Sequence, residues 1–193
     1  MSTLKPITLT PTDANWPGCL TERLGKAAPS MLQVIGPVAF LAGRKTALFC
    51  SARTPGDAIL RVHDTAQRLR DEGITIISGF HSPIEKECLR ILLRGKQPII
   101  LCPARAVAGM RMPTECQTAL EEGQLLFLSP FIESPKRVTK DSARHRNEVV
   151  AALADEVFIA HITIGGETAR VAEMLKQWRV PFVSAMKRNG CGE

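Results

Sequence analysis

Basic and small polar residues gather at a few places in this chain, and their types suit one chemistry, the holding of phosphate. Arginine and lysine supply charge-assisted hydrogen bonds, while serine and threonine hydroxyls and glycine-rich turns supply neutral donors. Ser51 and Arg53 share one short polar turn, Ser78-Gly79 form a second, and Gly165-Gly166 with Thr168 a third. Lys136, Arg137, Lys140, Arg144 and Arg146 set five cations against Asp141 alone, and Asn147 follows them. A run of like charge is most often a solvated loop, and an arginine in a turn can simply pair with a helix carboxylate. An asparagine near a helix start is most often a cap. Position in the fold decides between these readings.

Material for catalysis is thin. His63 falls in a helical stretch, His81 and His161 in loops and His145 in the basic cluster, and no spacing couples any of them to a nucleophile or carboxylate. No catalytic residue is assigned. Metal-ligand spacing is lacking, so neither a metal nor another cofactor is expected. Neither Gly-x-Gly-x-x-Gly after the first strand nor Gly-x-x-x-x-Gly-Lys occurs, which disfavours NAD, FAD and nucleotide hydrolysis of the phosphate-loop type.

The elements that position the basic residues alternate strand and helix. Apolar runs predict strands at Lys45–Cys50, Ile74–Ile77, Pro98–Leu101, Leu125–Leu128, Glu156–Ala160 and Pro181–Val183. Helical spacing predicts helices at Asp57–Asp71, Ser82–Leu93, Pro113–Glu121, Ser142–Leu153 and Gly166–Trp178, several of them stopped by glycine. A short strand at Met31–Ile35 and a helical turn at Val38–Ala42 precede them. The first 30 residues are rich in Pro, Thr and Gly, and Trp16-Pro17 and Ala28-Pro29 are expected to break any helix there. The expected fold is α/β, a Rossmann-like three-layer αβα domain with a mostly parallel sheet. Its parts are an extended N-terminal lead packed on the core (1–44), the Rossmann-like domain (45–185) and a C-terminal tail (186–193).

In such a sheet the loops after the strands' carboxyl ends share one edge, where ligands bind. Ser51–Gly56, Ser78–His81, Cys102–Arg111, Ser129–Asp141 and His161–Gly166 are those loops, and they bring Arg53, Arg105, Arg111, Lys136, Arg137 and Lys140 to the rim. Arg144 and Arg146 open the following helix. The candidate phosphate or nucleic-acid contacts are therefore Ser51, Arg53, Ser78, Gly79, Lys140, Arg144, Arg146, Asn147, Gly165, Gly166 and Thr168.

The totals permit this reading. A chain of 193 residues with 45% hydrophobic content suffices for one cored domain, and a net charge of +6 with a pI near 9.2 allows a polyanionic partner. Tyrosine is absent and aromatics are 5% of residues, so backbone contacts should outweigh base stacking. The six cysteines form no Cys-x-x-Cys pair and read as reduced core thiols. No charged-then-apolar leader and no membrane-length apolar run occurs, so a cytoplasmic location and no membrane contact are expected.

From about Thr8 to Val183 the order of motifs resembles the DNA-processing protein A family (DprA, also called Smf). Asn15-Trp16-Pro17-Gly18-Cys19-Leu20 resembles its Tyr-Pro-x-x-Leu lead, and Pro29 to Gly36 its Pro-x-x-Leu-Tyr-x-x-Gly segment. Cys50-Ser51-Ala52-Arg53 is similar to its Gly-Ser-Arg turn, Ser78 to Glu85 to its Ser-Gly-x-Ala-x-Gly-Ile-Asp segment, and Arg146 to Val150 to its Arg-Asn-Arg-Ile-Ile segment. Ala143 stands where family members often carry Phe, Glu148 replaces a basic residue, Pro83 a glycine, and Ile164-Gly165-Gly166 replaces a Ser-Gly-Ser turn. The resemblance implies non-catalytic binding of single-stranded DNA in DNA processing, recombination or uptake of transforming DNA. It also implies delivery to a RecA-type recombinase, usually as a homodimer, by a core-only member without accessory domains. The alternative is a nucleotide-binding sensor or a LOG-like nucleotide phosphoribohydrolase, because Ile164-Gly165-Gly166-Glu167-Thr168 partly resembles the Pro-Gly-Gly-x-Gly-Thr-x-x-Glu motif of those enzymes.

Overall fold

The structure, a computed structural model, describes residues 5–51, 54–133 and 138–184. Apolar runs too short for helices become the strands β1 (Ile7–Leu9), β2 (Leu32–Ile35), β3 (Lys45–Phe49), β4 (Thr75–Ser78), β5 (Ile99–Leu101), β6 (Leu125–Ser129), β7 (Glu156–Ile159) and β8 (Phe182–Ser184). Between them run α1 (Cys19–Leu24), α2 (Gly56–Asp71), α3 (Pro83–Leu92), α4 (Thr114–Glu121), α5 (Lys140–Leu153) and α6 (Glu167–Trp178), with 3-10 turns at Gly25–Ala27 and Val38–Leu41. The strands form one sheet in the order β1-β2-β6-β5-β4-β3-β7-β8. From β6 to β8 all neighbours are parallel, whereas β2 runs antiparallel to β6 and β1 antiparallel to β2. The expected Rossmann-like αβα architecture is borne out.

Side chains alternate across the pleat, so each strand feeds two cores. Ala47, Phe49, Ile77, Ile100, Leu126, Leu128, Val157 and Ile159 face α1, α5 and α6. Their neighbours Leu48, Ile76, Ile99, Leu125, Phe127 and Phe158 face α2, α3 and α4. With helices on both faces, strands buried on both sides are the expected outcome, and this explains their unbroken apolar runs.

The lead keeps an extended course at two places and departs from it at one. Two of its segments pair as β1 and β2, continuing the sheet beyond β6. Its Pro17 does not prevent a helix but precedes one: the Pro17 carbonyl accepts from Leu20 N at 3.0 Å, and α1 begins two residues later. A proline ahead of the first turn lacks only an N–H that no helical carbonyl would have received. Leu20 is fully buried, and Arg23 Nη1 donates to the carbonyls of Ala152 and Ala154 at 2.8 and 2.6 Å, closing the carboxyl end of α5. Trp16 packs partly buried against the same core.

Candidate functional site

Strand order reverses between β3 and β7: β4, β5 and β6 lie on one side of β3, and β7 and β8 on the other. Loops leaving adjacent strands in opposite directions cannot close over the gap, so a crevice opens at the carboxyl edge. A cleft of about 560 Å³ occupies that position, lined among others by Ser51, His81, Glu85, Lys140, Arg146, Asn147, Thr163, Gly166 and Thr168. A second cavity of about 360 Å³ lies at the opposite edge, against Arg44, Arg68, Glu72 and Glu156. There Arg68 lies 3.0 Å from Glu72 and Arg44 lies 4.0 Å from Glu156, so its basic side chains are already matched.

The floor of the carboxyl-edge cleft is the Arg146 guanidinium. It reaches from α5 across the ends of β4 and β5 and is only 4% exposed. Nη1 donates to the Cys102 carbonyl at 3.0 Å and Nε to Asn147 Oδ1 at 2.8 Å. Among the described residues Arg146 makes no ion pair, and Nη2 has no hydrogen-bond partner. Removing a charge from water costs several kcal/mol unless an opposite charge or a full set of hydrogen bonds offsets it. Gly79 makes room for this placement: a Cβ there would lie 1.6 Å from Nη1 and 2.1 Å from Cζ of Arg146. Beneath them, burial pushes the Cys102 thiol up to about 12, while the positive charge of Arg146 pulls the other way.

One wall is tied together by a carboxylate. Glu85, 7% exposed, accepts from Cys50 N at 3.0 Å through Oε1, and from His81 N and Ser82 N at 2.8 and 3.1 Å through Oε2. Ser82 Oγ accepts in return from Glu85 N at 3.2 Å, completing a reciprocal cap at the start of α3. The same carboxylate thus fixes the end of β3 against the loop after β4. In that loop Phe80 takes φ 45°, a left-handed conformation that costs a non-glycine residue energy, with its ring buried. Burial, the Cys88 thiol and the Glu85 charge together raise the pKa of the Cys50 thiol, the Cys88 hydrogen bond contributing most.

The opposite wall is the start of α6. Its N-cap is Gly166, which offers no side-chain acceptor, whereas α5 is capped reciprocally by Thr139 and Ser142. First-turn N–H groups left without acceptors carry partial positive charge and suit an anion. Thr168 Oγ1 accepts from Thr163 N at 3.1 Å and holds the loop closed, while Thr163 Oγ1 is buried without a partner among the described residues. Lys140, exposed, begins α5 on the cleft rim. Arg144 lies one turn on, yet its Nε and Nη2 donate to Glu167 Oε1 at 3.1 and 3.0 Å. Glu167 also meets Arg170 Nε at 3.3 Å, and Arg170 Nη1 meets Glu148 Oε1 at 2.7 Å.

Residues 7–183 match the family model of DNA recombination-mediator protein A. The chain belongs to this family. Its fold is similar to that of DNA processing protein A (DprA) from Streptococcus pneumoniae, with a TM-score of 0.76, 20% identity, and coverage of 93% of this chain and 62% of that one. The chain therefore spans less than two thirds of the pneumococcal protein. It is also similar to DNA processing protein A from Helicobacter pylori, a structure described for its single-stranded DNA binding mode, with a TM-score of 0.75, 20% identity, and coverage of 97% and 84%. A molybdenum cofactor binding protein from Rippkaea orientalis shares the fold at a TM-score of 0.51 and 8% identity, over 73% and 75% of the two chains. Comparison with curated proteins returned no match.

In this DprA-family chain the cleft brings together Ser51, Lys140, Arg146, Asn147, Gly166 and Thr168 from the sequence-derived set. Gly79 abuts Arg146 from behind. Ser78 is fully buried, its hydroxyl donating to the Leu48 carbonyl at 2.7 Å and accepting from Phe80 N at 3.3 Å. Gly165 does not line the cleft and takes φ +70° in an open turn. Arg144 faces Glu167 rather than the cleft. Arg53, Lys136 and Arg137 lie outside the described residues. Glu85, Thr163 and the Arg144 partner Glu167 were not in that set. Ser82-x-x-Glu85 is a legible capping-box spacing; the other two become visible only when the loop after β7 is folded beside α5.

Proposed function

We propose that the chain binds single-stranded DNA through its phosphates at the carboxyl-edge cleft, without chemical turnover, in DNA processing, recombination or the uptake of transforming DNA. The observation that carries this reading is Arg146, a buried guanidinium with no carboxylate among the described residues and a free terminal nitrogen at the cleft. A phosphate is the ligand that such a group fits, since it supplies the missing charge and a planar pair of acceptors. Lys140, the amide of Asn147, Ser51 and the open N–H groups of α6 add donors around the same space. Gly79 supports the site by leaving room for Arg146, and Ser78 by fixing the turn before it. Arg53, Lys136 and Arg137, which lie outside the described residues, enter this proposal from the sequence alone. Family membership and the single-stranded DNA binding of the H. pylori relative support the same ligand. Homodimerisation and delivery to a RecA-type recombinase belong to this proposal.

A free nucleotide is the second reading, favoured by a specific feature: Glu85 and Glu167 line the cleft along with Lys140 and Arg146, so its charge is mixed rather than uniformly basic. Fluorescence anisotropy of a labelled single-stranded oligonucleotide, measured at several salt concentrations, separates the two. The expected result is binding that weakens steeply with salt, because each neutralised phosphate releases counterions. Absence of binding at low salt, together with saturable binding of a nucleoside monophosphate, would transfer the site to the second reading.

A further inference from the structure

Glu167 stands at the mouth of the cleft, at the first position of α6, and its carboxylate is taken up by two arginines at once. Oε1 accepts from Nε and Nη2 of Arg144 at 3.1 and 3.0 Å, and Oε2 lies 3.3 Å from Nε of Arg170. Arg170 is independently held by Glu148 at 2.7 Å. Arg144 has no second carboxylate within ion-pair distance among the described residues; Glu167 is its hydrogen-bonding partner, and the charges of Asp141 and Glu148 act on it from farther away. A carboxylate in the first turn is favoured by the helix dipole, which is the same field that would draw a ligand phosphate to that position. Glu167 and a phosphate therefore compete twice, for the start of α6 and for Arg144.

We propose that Glu167 is the affinity-setting residue of the cleft, a built-in anion that holds Arg144 out of the phosphate site and must yield it when a strand binds. The proposal rests on the reading of the cleft as a phosphate site. The Arg144–Glu167 pair is about half exposed on both sides, so the interaction is weak enough to be exchanged. Arg170 retains the displaced carboxylate, since its contact with Glu167 uses a different oxygen from that of Arg144. The energetic barrier to ligand entry is then a swap of one acceptor on Arg144 for another. Unlatched, Arg144 joins Lys140 and Arg146 as a third cation facing the ligand.

A double-mutant cycle with a labelled oligo(dT) strand tests this. Glu167→Gln is expected to tighten binding about fivefold at low salt and to steepen the dependence of log affinity on log salt by about one phosphate's worth. Arg144→Ala alone is expected to change affinity less than about twofold, because the phosphate contact it removes is offset by the Glu167 pair that no longer has to break. In the double variant the gain of Glu167→Gln should vanish. Glu173→Gln, which breaks only the 2.7 Å pair with Lys176 on α6, serves as the control for general loss of negative charge and should leave affinity unchanged. Thermal melts of each variant separate folding from binding. Wild-type binding with an unchanged or weakened Glu167→Gln variant overturns the latch and leaves the cleft reading standing. Absence of binding by both wild type and Glu167→Gln overturns the two together.

Discussion

Two cations lie equally deep in this molecule and are treated in opposite ways. Lys45, 5% exposed at the amino edge of the sheet, donates from Nζ to the carbonyls of Leu41 and Gly43 and lies 3.6 Å from Asp155 Oδ2. Arg146, 4% exposed at the carboxyl edge, has one carbonyl, one amide oxygen and no carboxylate among the described residues. Lys45 is closed around its charge, and Asp155 also accepts from its backbone N at 2.8 Å. Arg146 opens on a cleft. A buried cation with its own anion fastens one strand to the next turn; a buried cation without one is, on the proposed function, the place for an anion from elsewhere.

The largest effect that tests this contrast is Arg146→Met. It should weaken single-stranded DNA binding about a hundredfold, roughly 3 kcal/mol, while urea unfolding shifts by less than about 1 kcal/mol, because an apolar side chain replaces a buried charge that lacks a counter-ion. Gly79→Ala sharpens the same point from behind. A methyl group 1.6 Å from Nη1 must push the guanidinium from its seat, so binding should fall by about tenfold or more and stability by about 1–3 kcal/mol in the same unfolding assay. The mirror experiment is Lys45→Met, which strips the carbonyls of Leu41 and Gly43 of their donor. It should cost about 1–2 kcal/mol of stability yet leave oligonucleotide affinity within about twofold. Smallest is Lys140→Ala on the exposed rim. A loss of about threefold and a salt slope shallower by about one would mark it as a phosphate contact, and an unchanged slope would remove it from the site.

Much of the fold was legible because strands buried on both faces leave continuous apolar runs, and each run here found its partner in the sheet. Residues 99–101 and 125–128 illustrate this, since their side chains alternate between the two cores without any polar break. Helix α1 was not legible, because the prolines that flank it read as breakers until Leu20 and Arg23 are seen docked on α5. The sequence placed the candidate site at the carboxyl edge, where loops leaving parallel strands gather, but the cleft between β3 and β7 depends on a strand order seen only in the fold. Its chemistry was only half legible. Composition showed Arg144 and Arg146 as equivalent rim cations, but one helical surface turns the first toward Glu167 and the second into the core. Gly79 was visible as a turn residue, while its close approach to a guanidinium from a distant helix depends on how α5 crosses the ends of β4 and β5.

In the proposed complex the Arg146 guanidinium receives a phosphate of the bound strand. Nitrogen-15 labelled protein titrated with oligo(dT), followed at the arginine Nε–H cross-peaks, observes that group itself, with Arg146→Met supplying the assignment. The Arg146 peak should shift on saturation at low salt and return as salt displaces the strand. A protein saturated with the oligonucleotide while the Arg146 peak stays in place would contradict that contact.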